Sequence, residues 1–264
     1  MSAMKIAVTL YTVSSRMKTP EACVETLKRV KQIGYTNVET GLPFPCADFG
    51  TMMLDAGFSI IDMHVGLDEF QKRFDATVAL ARQLKCAHLT IPWMDPQKMN
   101  SALAWRTLAQ ELSSLGKRLA GEGIILQYHN HHFEFARFEG KTGLEILYAE
   151  SDPKYLKAQL DTHWVTRGGG DPVAWIRAMQ GRAEQIHFKD MVIQNTTKGT
   201  NPVFADVGSG NLNWPEILKA CRDVGIQDCI VEEDPGEHMP DPFKSIANSL
   251  AFLKKMGLES PAQR

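Results

Sequence analysis

The sequence predicts an α/β fold, a (β/α)8 TIM barrel forming a single domain over residues 1–264. Three observations point to it. The chain has 264 residues, close to the ~250 typical of one such barrel. Short β-like runs alternate eight times with helical patterns, as parallel strands with crossover helices require. The first strand runs into LYTVSSR, where an open doubly wound sheet would usually carry a Gly-rich phosphate turn.

The elements follow in order. KIAVTL (5–10) is the first strand. The N-terminal run MSAMKIAVTLYTV lacks the long apolar region and small-residue cleavage site of a signal peptide. TNVET (36–40), SIIDMH (59–64), AHLTIP (87–92), IILQYH (124–129), LKAQLD (156–161), EQIHFK (184–189) and DCIVEE (228–233) supply the other seven strands. Helical patterns fall near 20–33, 47–56, 68–84, 97–121, 141–150, 171–180, 214–224 and 241–256. Thr19-Pro20, Asp171-Pro172, Trp214-Pro215 and Asp241-Pro242 read as helix starts. Gly34, Gly57, Gly123 and Gly225 each stand just before a strand, where a left-handed residue closes the preceding helix. The longest irregular piece runs from about Met191 to Asn213, a length that marks a functional or mobile loop.

Composition narrows the function. The formal net charge is −2 and no basic run occurs, which argues against a nucleic-acid partner, since that would need clustered Lys and Arg. No run approaches the roughly 20 apolar residues of a membrane span. The five cysteines are scattered without a C-x-x-C pair, as expected for free thiols in a reducing, cytoplasmic setting. Barrels of this size often associate, so a homo-oligomer is also open.

In a TIM barrel the active site lies where the strands end, while mid-strand positions are expected to be apolar. The ends here read Tyr11, Glu39, His64, Pro92-Trp93, Gln127-Tyr128-His129, Asp161-Thr162-His163, His187-Phe188-Lys189-Asp190 and Glu232-Glu233-Asp234. Asp161, His187 and Glu232 each finish an apolar strand. Carboxylates beside imidazole suit one divalent ion such as Mn²⁺, Zn²⁺, Co²⁺ or Mg²⁺, or else a hydrogen-bonded structural network. Lys189 shares a strand face with His187. It would bind an anionic oxygen or polarise a carbonyl, or form a salt bridge to Asp190 or Glu232. LQYHNHHFEF (126–135) places His129, His131 and His132 within four positions, with Glu134 just after.

LYTV, IGYTNVET, YHNHHFEF, LDTHW, IHFKD, VGSGNLNWPEIL and IVEEDP, in that order and across nearly the whole chain, resemble the sugar phosphate isomerase/epimerase family of the xylose-isomerase-like TIM barrel superfamily. The resemblance implies one divalent metal held by a Glu-Asp-His-Glu set. Its Asp falls on Asp161, its His on His187 and its last Glu on Glu232. The first Glu falls on Gln127, which is neutral. Either Glu134, folding back over the strand end and preserving the charge balance, or His129, on the same strand face as Gln127, would then complete the set. His131 lies where an imidazole serves as acid or base, and His132 has the opposite parity.

The resemblance further links Glu39 and His64 to substrate hydroxyls. His163 and Trp164 join them as substrate contacts, with Trp93 a second apolar wall. The implied activity is a metal-dependent isomerase or epimerase of a sugar or keto-sugar, working through an enediolate. Glu232, His129 and His131 would move protons and Lys189 would steady the developing oxyanion. The alternative is a lyase or dehydratase acting on a keto-sugar, keto-glycoside or inosose.

Overall fold

The computed structural model describes residues 4–196, 199–236 and 238–258. Its strands are β1 (Lys5–Thr9), β2 (Asn37–Gly41), β3 (Ser59–His64), β4 (His88–Ile91), β5 (Ile125–His129), the short pair β6 (Arg137–Phe138) and β7 (Lys141–Thr142), β8 (Leu156–Asp161), β9 (Ala183–Phe188), the ribbon pair β10 (Asp190–Thr196) and β11 (Gly199–Ala205), and β12 (Asp228–Val231). Eight of them close in the order β1-β12-β9-β8-β5-β4-β3-β2, with every barrel pairing parallel. The predicted (β/α)8 barrel is therefore the observed fold, and all eight predicted strands are its staves.

The helices are α1 (Pro20–Ile33), α2 (Phe49–Asp55), α3 (Leu67–Gln83), α4 (Ala102–Gly121), α5 (Gly143–Glu150), α6 (Thr162–Arg167), α7 (Pro172–Ala178), α8 (Trp214–Val224) and α9 (Pro242–Lys255). Their starts are chemically marked. Thr19 accepts from Ala22 N, Asp171 from Val173 N, and Asp241 from Phe243 N and Lys244 N, each satisfying amide donors that a helix start leaves unpaired. Gly34 and Gly225 close α1 and α8 at φ 115° and 84°, a conformation open to glycine without a Cβ clash. Between barrel and helices lies the apolar core. Leu126, Tyr128, Leu160, Ile186 and Phe188 point outward into it and meet residues such as Leu108, Leu112 and Trp105 of α4. Each such burial is worth about 1.5–3 kcal/mol relative to exposure.

Three features depart from the sequence reading. The interior of the barrel is polar at mid-strand rather than apolar. Gln127 Nε2 donates to Gln185 Oε1 at 2.7 Å, Gln185 Nε2 to Asp228 Oδ2 at 3.1 Å, and Gln159 Nε2 to Asp62 Oδ2 at 2.9 Å. Amides tolerate this burial because they answer one another's hydrogen bonds. The irregular piece from Met191 is largely the antiparallel ribbon β10–β11. Finally, α6 starts with no linker after β8, because Asp161 both ends the strand and caps the helix through Trp164 N at 2.8 Å.

No described helix is long and apolar enough to cross a membrane.

Candidate active site

Strand alternation decides what reaches the barrel mouth. In β8, Gln159 and Asp161 point inward, in β9 Gln185 and His187, and in β5 Gln127 and His129. Register then sets Asp161 opposite His187, and His187 opposite Ile230 of β12. Glu232 follows two residues after Ile230 on the same face. The outcome is a buried cluster of four, His129, Asp161, His187 and Glu232, whose donor atoms all lie within 4.8 Å of one another.

Hydrogen bonds position this cluster. His187 is gripped from both sides, by Glu232 Oε2 at 2.6 Å from Nδ1 and by Glu39 Oε2 at 2.8 Å from Nε2. Burial works against a charge on this ring, but the two carboxylates outweigh it and hold its pKa well above the ordinary value. Burial also pushes Glu232 upward, yet Lys189 and His187 draw its carboxyl down to about 2. Asp161 differs, because burial carries it up to about 7. One of its oxygens caps α6 and the other, Oδ2, is buried without a hydrogen-bond partner. His129 Nδ1 is likewise buried and unpartnered.

These two orphaned atoms are the test of whether the residues suit a cation. A buried carboxylate oxygen and a buried imidazole nitrogen left without donors or acceptors would each cost free energy, and both sit in this cluster of four, the largest of three overlapping groups with ligand chemistry among the described residues. The donor set of imidazoles and carboxylates suits Mn²⁺, Zn²⁺, Co²⁺ or Mg²⁺. The residues fit a divalent ion.

The other expected site residues fall in different places. Lys189 is buried, its Nζ 2.6 Å from Asp234 Oδ1 and 3.6 Å from Glu232 Oε2, and it lies over the Trp164 ring at 4.8 Å. His131 stands 5.0 Å from the Trp164 ring. Burial and Lys189 push its pKa down to about 3, so it is neutral, and its Nδ1 has no partner among the described residues. His64 lines the pocket, with Nε2 2.9 Å from Gln159 Oε1 and 3.2 Å from Glu39 Oε2. His132 is exposed and stacks on Trp164.

Glu134 stands apart from the four-residue cluster. Its carboxylate accepts from Tyr128 OH at 3.0 Å and from His131 N at 2.9 Å, because Tyr128 faces outward from β5 and draws Glu134 to that side. Of the two, His129, on the inward face, lies in the cluster. Glu39 is fully buried beneath the pocket, facing His187 rather than open space. His163 is also buried, its Nδ1 3.3 Å from the Asp190 carbonyl, with Phe204 at 4.6 Å.

Arg137 donates to Gly140 O, and Arg167 stacks on Trp164. Asp62, Gln159 and Asp234 are site supports that the sequence reading did not single out. Gln159 was within reach of the parity rule, lying two residues before Asp161.

The pocket above the cluster has a volume of about 460 Å³ and is lined by His64, His129, His131 and Glu232 on its polar side. A larger groove of about 870 Å³ along α2 and α3 contains none of the cluster residues.

Comparison with known proteins follows this geometry. A family model described as xylose isomerase-like TIM barrel matches residues 27–256. An inosose dehydratase from Lacticaseibacillus casei is 26% identical over 163 residues, covering 56% of this chain and 53% of the relative. The chain thus spans about half the length of the curated relatives it matches. A sugar phosphate isomerase/epimerase from Parabacteroides distasonis is similar in structure, with TM-score 0.79 and 22% identity over 96% of this chain and 94% of that one. A xylose isomerase-like TIM barrel protein from Mycobacterium smegmatis, solved in complex with magnesium, gives TM-score 0.72 and 14% identity over 97% and 98%.

Proposed function

Because the chain belongs to the xylose isomerase-like TIM barrel family, we propose that it moves a proton at the carbon next to a carbonyl in a sugar-like substrate, as an isomerase or epimerase that uses one divalent cation. One observation carries this reading: Glu232 is at once a member of the four-donor cluster and part of the pocket wall. His129, Asp161, His187 and Glu232 would hold the ion. When bound, such an ion supplies Lewis-acid stabilisation of negative charge developing on a substrate oxygen.

The chain's own residues do the rest. Glu232, kept ionised by Lys189 and His187, is in the protonation state that accepts a proton. His131, neutral and with Nδ1 unpartnered, is a second acceptor reaching the same pocket; whichever group takes the substrate proton becomes the acid that returns it to the neighbouring carbon. Lys189 presents a fixed positive charge beside Glu232, placed to favour an oxyanion. Glu39 fixes the His187 ring through Nε2, as carboxylates that orient metal-binding imidazoles do.

A lyase reading has its own support. The first glutamate that the resemblance implies falls on the neutral Gln127, so the site lacks the second glutamate base of that pattern. The inosose dehydratase relatives perform an elimination by name. The test is incubation with Mn²⁺ and a panel of keto-sugars in D₂O. Deuterium uptake into an isomer that has lost no atoms other than the exchanged hydrogen supports the isomerase, loss of water or of a second molecule supports the lyase, and wild-type exchange in Glu232→Gln rejects both.

A further inference from the structure

The pocket has two halves, and only one belongs to the chemistry above. Besides His64, His129, His131 and Glu232, its lining includes the apolar Leu10, Met17, Leu42, Pro43, Pro45 and Phe49. At its mouth stand two aromatic rings that the fold leaves in solvent. Tyr11, in the turn after β1, is 57% exposed, and Trp93, just past β4, is 51% exposed; both line this pocket. Exposed aromatic rings at a polar cavity give flat apolar faces with a polar edge, suited to a sugar face or another ring.

The charge pattern is as informative. Among the described residues no Lys or Arg lines the pocket, while Glu232 and Asp234 do. Lys189 lies behind them, 1% exposed, with its ammonium against Asp234 and Glu232. A phosphate-bearing substrate would bring two negative charges to a lining that carries two carboxylates and no arginine fork.

We propose that the pocket takes an uncharged glycoside whose sugar ring carries a ketone: the sugar ring over the four-donor cluster, and its aglycone on the apolar lining against Tyr11 and Trp93. This rests on the proton-transfer reading of the site but adds a substrate class to it. Phosphorylated sugars are the excluded class.

The test measures binding by titration calorimetry with Mn²⁺ present. The probes are phenyl glycosides of glucose, galactose, mannose and xylose, the four free sugars, and glucose 6-phosphate. The expected result is at least one phenyl glycoside binding about tenfold tighter than its parent sugar, the gain expected of ring stacking, with glucose 6-phosphate weaker than glucose. The glycoside-to-sugar ratio should fall to about two or less in Trp93→Ala and Tyr11→Ala, whose exposed positions leave the core intact.

Tighter binding of glucose 6-phosphate than of glucose overturns the proposal. So does equal binding of glycosides and free sugars, or a ratio that survives both substitutions. If either occurs while deuterium exchange still depends on Glu232, the proton-transfer reading stands and only the subsite is rejected. If no probe binds and no exchange occurs, both fall together.

Discussion

Glu39 Oε2 lies 2.8 Å from His187 Nε2, with both side chains fully out of solvent. Burial alone would raise the Glu39 carboxyl, but His187 and His64 hold it well below its ordinary value. A charged carboxylate is thus locked behind the imidazole of the cluster. Glu39→Gln should keep the barrel folded while weakening Mn²⁺ binding about 10- to 100-fold, the usual cost of losing such a partner. Calorimetric titration of Mn²⁺ checks this, and an unchanged affinity would make Glu39 a purely structural partner of the His187 ring.

His129 and Glu134 make opposite predictions. His129→Ala should cut Mn²⁺ affinity by at least tenfold and reduce the stabilisation that the ion confers in thermal unfolding. Glu134→Gln should leave both within about twofold, because its carboxylate serves Tyr128 and the His131 amide. The reverse pattern in the same titrations would restore Glu134 to the ligand set. EDTA should lower the wild-type melting temperature and have little effect on His129→Ala.

Glu134 also yields a pH prediction. Burial raises its carboxyl from 4.5 to about 7 in the folded chain. The folded state therefore keeps a proton that the unfolded chain releases between these values, and stability falls as pH rises through that window, by about 1.4 kcal/mol per pH unit. Below 4.5 both states are protonated, and above 7 both are ionised, so the loss levels off. Glu134→Gln removes this dependence. Its stability relative to wild type should climb from pH 4.5 to 7 and then plateau, as urea unfolding at stepped pH would show; a flat difference would mean that the carboxyl titrates normally.

Lys189→Met separates chemistry from binding. The methylene stem is retained, so packing against Trp164 and Phe204 survives, but the ammonium beside Glu232 is lost. Exchange turnover should drop about 10²- to 10³-fold, as for removal of one oxyanion donor, with Mn²⁺ affinity changing far less. Turnover within a few fold of wild type would make Lys189 a structural partner of Asp234.

The segment after the ribbon offers a stability test away from the site. Asp190 Oδ2 accepts from Gly208 N, Gly210 N and, at 2.6 Å, Trp214 Nε1. A Cβ on Gly210 would lie 2.3 Å from both Asp190 Oδ1 and the Met191 carbonyl. Gly210→Ala should therefore cost about 1–3 kcal/mol, the range for forced overpacking, measured by chemical unfolding. A cost near zero would show that this loop readily shifts.

Much of the fold was legible because strand parity and helix punctuation are local. Asp161, His187 and Glu232 could be named together since each ends a strand with an apolar run before it, and the cluster brings these three into one place. The polar interior was hidden for the converse reason: Gln127, Gln159 and Gln185 are inward glutamines whose satisfaction depends on partners across the barrel, as with Gln127 and Gln185, 58 positions apart. The β10–β11 ribbon was hidden because it is largely outside the core, with Gln194, Asn195 and Thr200 exposed, so no one-face apolar alternation marks it. The choice between His129 and Glu134 turned on where Tyr128 points, which decides the side on which Glu134 finds a donor.

Asp161 divides its carboxylate between two duties, Oδ1 on the α6 amide and Oδ2 toward the cluster. A side chain tethered in this way tends to offer an ion one oxygen at a fixed angle instead of straddling it with two. Large ions such as calcium favour flexible, often bidentate carboxylates at high coordination number. The anchoring of a single helix would thereby act as a filter on ionic radius, turning a capping interaction into a source of selectivity for smaller cations.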